Sequence, residues 1–565
     1  MFAHSLFRPS HPSPSPEHIL FLWNTFEDRF ITSILHKPTA RKIVLCGQHD
    51  RITHALASAI YFAAIVTLSP EECLAHLQQD KATAVSRYRF AFEQVLGLAD
   101  FLNTQSVMLL QASVIFLFAV HAYDDTRFVW SMVPMLVRIG QGLGLHRDGA
   151  NFGLDPFEME MRRRLWWHLC ILDIRSSEHQ GTAFLVHGGM HDVRPPLNVN
   201  DDDIFPGMQQ APQERSGATD MSLIRALCDV ALCGYEISKA PVCRGLTGDV
   251  DVNDENANAA LENSKKSMRE LGQRIQERYV RYWDLEKPAD RVSVAIIRIV
   301  LAKIWLSIHH PISHSMSRAS CLPFFNASRN SLLHISVEVI GLIVSIFNDE
   351  KTRKWAWSIH PSAHYASIAF TLAELCVREL CPFTERAWTM VTMALDELAG
   401  SGRQRKRGMW QPIWRLVDRA AAHRQRAKDD PQLAAAPCLH GAEPPHDPSF
   451  DLPVSLRGAG PSTVKSMIKD QVDQYGGQPK IPVNGTVRAS SNGHDALSGM
   501  FTFTDSAMTC FDPDTPPGLE EVVNVFNETM TAVNAADAPA LDYGWTAYGD
   551  RNMFGMDVDL FAPSG

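Results

Sequence analysis

The sequence of residues 140–148 resembles two short motifs of phosphoryl-transfer enzymes. Gly140, Gly142 and Gly144 alternate like glycines of a phosphate-binding loop, and His146-Arg147-Asp148 matches three letters of the protein-kinase catalytic loop. A kinase also needs a lysine on a strand, an Asp-Phe-Gly element and a strand before its glycines, and we find none of these. The sequence also lacks the G-x-S-x-G, G-x-x-x-x-G-K-[ST] and H-E-x-x-H patterns. We therefore predict that this chain is not an enzyme.

Cysteines and histidines are the candidate ligands for a metal. Two pairs of cysteines stand five residues apart within apolar helical patterns, Cys228 with Cys233 and Cys376 with Cys381. That spacing favours small core residues over a C-x-x-C ligand pair. Three histidines surround a proline but have no cysteine or carboxylate at ligand spacing: His309, His310 and His314. We predict neither a metal nor a cofactor in this chain.

The element that follows the glycines is predicted to be a long helix. Asp155 can cap it, and the next residue is a proline, which suits a first turn. Glu158 precedes Arg162 by four residues and Glu160 precedes Arg164 by four. This acid-first order is typical of paired charges on an exposed helical face. We therefore expect both pairs on the surface.

The rest of the same helix is apolar. Trp166 and Trp167 add bulk on adjoining faces of a helically spaced stripe made by Met161, Leu165, Leu169 and Leu172. Asp173 lies beside the stripe, where an ionised carboxylate needs a partner such as an arginine from a neighbouring helix. We expect Trp166→Ala or Asp173→Ala to cost about 3 kcal/mol of stability.

Composition divides the chain into three parts and predicts an all-α fold. Residues 1–17 form a Pro/Ser leader, and helical periods without strand alternation fill residues 18–428, including expected helices over 19–35 and 356–380. Residues 429–565 have isolated apolar side chains and should be a largely disordered acidic tail. The longest apolar run, 107–120, is too short for a membrane span. We expect a buried helix there and no membrane partner.

The run from LGLHRD through PFE, RRRLWW, LD, RSSE, PLN and NDDD resembles the middle homology region of fungal binuclear zinc-cluster transcription factors. Similar matches near residues 18–39 and 61–106 extend the resemblance over residues 17–206. It implies a helical regulatory domain in which the connection 182–217 is ordered. The structural signature positions it implies are His146, Arg147, Asp148, Arg162, Arg163, Arg164, Trp166, Trp167, Asp173, Glu178, Asn198, Asp201 and Asp202.

Charge is concentrated near the end of the chain. Residues 501–565 contain eleven acids and one base, Arg551, so this segment carries the whole formal net charge of −10. Such acidic-hydrophobic alternation predicts an activation segment, and a plain solubilising tail is the alternative. The candidate apolar anchors are Phe501, Phe503, Phe526, Trp545, Phe554 and Phe561. A basic run is either a nuclear import signal or a solvated loop: Arg403, Arg405, Lys406 and Arg407.

The resemblance to this family implies a nuclear transcriptional regulator of RNA polymerase II genes that recruits coactivators. The family's six closely spaced cysteines do not occur in this sequence. We therefore expect DNA contact either through a zinc module upstream of Met1, which alone would hold zinc, or through a partner protein. A small-molecule inducer and a second copy of the chain are further candidate partners. The alternative is a stand-alone helical ligand-binding or scaffold protein without a transcriptional role.

Overall fold

The computed structural model describes residues 15–429, apart from 31–32, 47–48, 124–125, 181, 183, 239–254, 316–321, 360–364 and 400–410. Throughout this part the chain forms α-helices, short 3-10 helices and loops without any strand, which confirms the predicted all-α class. Three predicted features lie outside the described residues: the first 14 residues of the leader, the basic run 403–407 and the acidic tail from residue 430. The side chains of His309, His310 and His314 also lie outside them.

The helices fall into three consecutive groups. The first comprises α1 (Pro16–Arg29), α2 (Lys37–Leu45), α3 (Arg51–Thr67), α4 (Pro70–Leu77), α5 (Lys81–Leu98), α6 (Val107–Tyr123), α7 (Thr126–Gly142) and α8 (Pro156–Gln180). The second comprises α9 (Ser222–Ser238), α10 (Glu255–Arg278) and α11 (Pro288–Ser315). The third comprises α12 (Leu322–Asn348), α13 (Tyr365–Leu375), α14 (Pro382–Ala399) and α15 (Gln411–Asp429).

Local sequence explains where several helices begin. The Ser69 hydroxyl accepts the N–H of Glu72, whose carboxylate accepts the N–H of Ser69, so α4 starts with a capping box. The same carboxylate accepts two hydrogen bonds from Arg29 at the end of α1, at 2.5 and 2.8 Å. The Arg29 guanidinium and the Ser69 N–H together lower the pKa of Glu72 to about 2, against the effect of burial. One cap residue therefore also joins two helices.

The predicted helix over 19–35 is too long. The chain leaves α1 at Arg29 and Phe30 is extended. A 3-10 helix at Arg353–Ser358 packs against this end, where the Trp355 indole donates to the Asp28 carbonyl and the Trp357 indole to the Arg29 carbonyl. These side chains satisfy carbonyls that a helix end leaves unpaired. A separate helix, α2, follows, and the sequence pattern did not predict it.

The predicted helix over 356–380 is also wrong at both ends. Its first residues belong to the 3-10 helix that packs on α1, and the α-helix is confined to Tyr365–Leu375. After it, the N–H of Cys376 is shared between the carbonyls of Leu372 and Ala373, the tightened turn common at helix ends. Tertiary contact and local tightening therefore shorten this helix.

Helices α3 and α6 form the centre of the first group. Most residues of both helices are buried. The ring of Phe116 in α6 packs against Phe62 of α3 and Phe92 of α5, with centroid distances of 5.0 and 4.2 Å. The predicted burial of the apolar run 107–120 is thus confirmed. No helix in the described ranges is both long enough and apolar enough to cross a membrane. This group forms the largest core and supports α7 and α8.

Helix α9 connects the second group to the first. It packs on α8 on one side and on α10 and α11 on the other. The Tyr279 hydroxyl, just after α10, donates to the Asp229 carboxylate of α9 at 3.0 Å. Helices α12 to α15 enclose a further core. The second group is therefore in direct contact with α8, the helix that carries most of the signature residues.

Candidate functional site

Helix α8 begins as the sequence predicts. The Asp155 carboxylate accepts the N–H groups of Phe157 and Glu158, both at 3.0 Å. One turn later, Arg162 donates to Glu158 at 2.9 Å and to the Leu143 carbonyl at 3.0 Å. The Glu158 side chain is 43% exposed, so this pair lies at the surface as expected. Its contribution to stability should be below about 1 kcal/mol.

The second acid-first pair is not on the surface, and that prediction is wrong. The side chains of Glu160 and Arg164 are 1% and 0% exposed, with Arg164 Nε 3.0 Å from Glu160 Oε1. Arg164 Nη1 also contacts Asp201 Oδ1 at 2.6 Å. Burial alone lowers the pKa of Arg164, but Glu160 and Asp201 outweigh it and raise that pKa. The cause of burial is the connection after α8, which folds back over this face.

This buried triad joins three separate segments. The second oxygen of Glu160 accepts the N–H of Leu197 at 3.0 Å, and the second oxygen of Asp201 accepts the N–H of Lys37 at 2.8 Å. An imidazole nitrogen of His36 lies 3.0 Å from the Asp201 carbonyl oxygen. Helix α8, the connection 182–217 and the start of α2 thus meet at one guanidinium. We call this set Glu160, Arg164 and Asp201 the buried triad.

Asp148, the acid of the kinase-like letters, is engaged in a second buried pair. Arg163 donates to its two oxygens at 2.9 and 2.7 Å, and the N–H groups of Ala150 and Arg194 add two bonds at 3.1 and 3.0 Å. Burial raises the pKa of Asp148, but these donors outweigh it and bring that pKa to about 2. A carboxylate held this way is a poor proton acceptor. Its role in this geometry is to fix α8 to the loop before it.

The aromatic part of the signature is covered by histidines. Trp166 and Trp167 are buried, as predicted, and the His191 ring lies against their edges, with centroid distances of 5.8 and 5.5 Å. The Trp167 indole donates to the Arg194 carbonyl at 3.0 Å, and His146 lies 6.3 Å from Trp166. The sequence did not single out His191 or Arg194. Their only signal is that both lie in the polar connection after α8.

Asp173 is buried, as expected, and its partners among the described contacts are a backbone N–H and a hydroxyl. Its carboxylate accepts the N–H of Val186 at 2.9 Å and lies 3.5 Å from the Ser177 hydroxyl. Burial raises the pKa of Asp173 to about 6, against the effect of these hydrogen bonds. The carboxyl therefore ties the end of α8 to the connection that follows it.

The remaining signature residues are spread over the periphery. Asn198 organises the loop, because its amide donates to the carbonyls of Arg215 and Gly217 and accepts from the Thr219 hydroxyl. Arg147 pairs at the surface with Asp192, and Asp202 is exposed. Glu178 pairs with Lys303 of α11. The structure thus brings most signature residues into one network and leaves Arg147, Glu178 and Asp202 at its edges.

The contacts of these residues hold neighbouring segments of the chain together. The carboxylates of Asp148, Glu160 and Asp201 each accept hydrogen bonds from an arginine and from backbone N–H groups, which leaves these three little capacity to bind a substrate. The cysteines Cys228, Cys233 and Cys381 are buried, and Cys376 is half-buried. In the part of the chain that the structure describes, no group of histidine, cysteine and carboxylate side chains has the geometry to hold a metal ion. The network orders the loop and places α8 against α9.

Comparisons with known proteins extend this result. Residues 19–226 match the fungal specific transcription factor domain. The chain is 28% identical over 407 residues to the aurofusarin cluster transcription factor aurR2 of Gibberella zeae, a match that covers 70% of this chain and 59% of that protein. It is 31% identical over 217 residues to the pyriculol/pyriculariol biosynthesis cluster transcription factor 1 of Pyricularia oryzae, covering 37% of this chain and 29% of that protein.

A third relative is the C6 finger domain transcription factor hasF of Aspergillus fumigatus, 26% identical over 420 residues, covering 70% of this chain and 54% of that protein. The chain thus spans between 29% and 59% of the length of these relatives. The matched region contains most of α1, all of α2 to α8, the buried triad, the Asp148–Arg163 pair and the start of α9. Residues 19–226 of this chain are therefore similar to the fungal specific transcription factor domain, and the relatives that match a larger part of the chain are transcription factors by name.

Proposed function

We propose that this chain is a non-enzymatic transcriptional regulator of RNA polymerase II genes that acts in the nucleus. The observation that carries the proposal is the family match over residues 19–226, which includes the buried triad and the Asp148–Arg163 pair. The names of two relatives support it, since one is an aurofusarin cluster transcription factor and the other a pyriculol/pyriculariol biosynthesis cluster transcription factor. We infer that the target genes of this chain also form a biosynthetic cluster.

The proposed division of labour follows the composition of the chain. The helical region would set activity, and the acidic residues 501–565 would recruit coactivators through their apolar anchors. DNA would be contacted through a zinc module of a longer protein or through a partner protein, with zinc confined to such a module. A homodimer would be compatible with either route.

A reporter assay tests the activation step. Residues 501–565 are fused to an unrelated DNA-binding domain, and reporter expression is measured in a fungal host. The matched control replaces the six aromatic anchors by serine and keeps all eleven acids. We expect activation by the parent segment and loss of most of it in the control. Equal expression from the two fusions, or none from the parent, would contradict the proposal and favour a ligand-binding or scaffold protein without a transcriptional role.

Import is tested separately with a fluorescently labelled full chain. Replacing Arg403, Arg405, Lys406 and Arg407 by alanine should move the protein from the nucleus to the cytoplasm. Arg415 and Arg419, exposed arginines of α15, provide a matched pair of alanine replacements that should not. A nuclear signal that survives the first set of changes would exclude this run as the import signal.

A further inference from the structure

A cavity of about 120 Å³ lies between α10, α11 and α12, away from the signature network. Its walls are mainly apolar and include Met268, Ile275, Val294, Ile297, Leu301 and Trp305. For scale, an engineered apolar cavity of about 150 Å³ stays dry and binds benzene. The space between these helices therefore suits a ligand built on a single ring.

The guanidinium of one arginine lines this apolar space, and one of its N–H groups has no hydrogen-bond acceptor among the residues that the structure describes. Arg298 of α11 lines the cavity and its side chain is only 13% exposed. Within the described part of the chain its Nε has no hydrogen-bond partner, and its Nη1 is 3.8 Å from Glu338 Oε1, beyond hydrogen-bond length. The Glu338 side chain is 55% exposed and so largely solvated. A buried N–H donor that lacks an acceptor destabilises the protein, and an acidic ligand that accepts from it would remove this penalty.

A second polar group lines the cavity from α10. Gln276 of α10 lines the same cavity, and its buried side-chain oxygen has no hydrogen-bond partner in the described structure. Arg269, exposed on α10, adds a further positive charge at the rim. The lining thus offers a guanidinium for an anion and an amide oxygen for an O–H or N–H donor, with apolar walls between them.

From this geometry we propose that the cavity binds a small aromatic carboxylic acid that carries a hydroxyl group. Its carboxylate accepts hydrogen bonds from Arg298, its ring fills the apolar space, and its hydroxyl donates to Gln276. This proposal deepens the proposed function, since such a ligand would serve as the regulatory signal.

The position of the cavity offers a route to α8. Lys303, five residues after Arg298 on α11, pairs with Glu178 of α8. At the end of α10, Tyr279 is hydrogen-bonded to Asp229 of α9, and α9 packs on α8. A ligand that changes the separation of α10 and α11 would act directly on elements in contact with the signature helix.

The test is binding of defined probes to the purified full chain. Benzoate and its 3-hydroxy and 4-hydroxy derivatives are titrated by calorimetry, with benzamide as the neutral analogue of the same size. Variants are Arg298→Met, which removes the guanidinium but keeps an unbranched apolar side chain, and Ala302→Leu, which adds volume to the cavity wall. Arg278→Met, an exposed arginine of α10 that does not line the cavity, is the matched control. Unfolding temperatures show whether each variant is folded.

We expect saturable binding of a hydroxybenzoate that is at least tenfold tighter than that of benzamide. Arg298→Met and Ala302→Leu should each weaken it tenfold or more, while Arg278→Met leaves it unchanged. A folded Arg298→Met variant that binds like the parent, equal binding of acid and amide, or no binding of any of these acids would overturn the proposal. Each result is independent of the reporter assay, so failure of the ligand site and failure of the transcriptional role are distinguishable.

Discussion

Replacing Arg164 by methionine should lower the free energy of unfolding by about 3–5 kcal/mol, the cost of removing one partner from a buried ion pair. Methionine preserves most of the side-chain volume, so little cavity is created. The loss arises because Glu160 and Asp201, 1% and 7% exposed, remain buried after their shared cation has gone. Each keeps a single backbone N–H donor, from Leu197 and Lys37 respectively.

The neighbouring pair provides the control for this prediction. Arg162→Met removes an arginine of the same helix whose partner, Glu158, is 43% exposed, and should cost less than about 1 kcal/mol. Urea unfolding of the full chain, followed by far-UV circular dichroism, measures both variants, with the shift of the midpoint multiplied by the denaturant slope. If the two variants unfold at the same urea concentration, the buried triad does not stabilise the fold in the way we infer.

Three further predictions concern other parts of the network. Asp173→Asn should gain stability relative to the parent as pH rises from about 4 to about 6. The reason is that the Asp173 carboxyl, with its pKa raised from 3.8 to about 6, binds protons in the folded state that the unfolded state releases. If the urea midpoint changes equally in both proteins between pH 4.5 and pH 7.5, this prediction is refuted. Trp166→Ala should cost at least about 3 kcal/mol by the same urea assay, against a smaller loss for Trp130→Ala, where the side chain is 36% exposed. Asn198→Ala should expose the connection 182–217 to limited proteolysis, since it removes two bonds to the carbonyls of residues 215 and 217; an unchanged cleavage pattern would mean that the loop is ordered by other contacts.

Local interactions let the sequence determine the class of fold and much of the candidate site. The cap at Asp155 and the Glu158–Arg162 pair join residues two to four positions apart, and both are present as predicted. The apolar run 107–120 is buried as expected. Propensity, spacing and capping are properties of neighbouring residues, so they can be read before the chain is folded.

Only the tertiary structure decided which charges are buried and what they contact. Glu160–Arg164 has the same spacing and order as Glu158–Arg162, but Asp201 and the N–H of Leu197, 37 positions from their partners on α8, complete the first pair in the interior. Helix α1 ends where Trp355 reaches a carbonyl 327 positions away. The spacing of residue types along the sequence shows which residues share one face of a helix. It does not show which distant segment of the chain will cover that face.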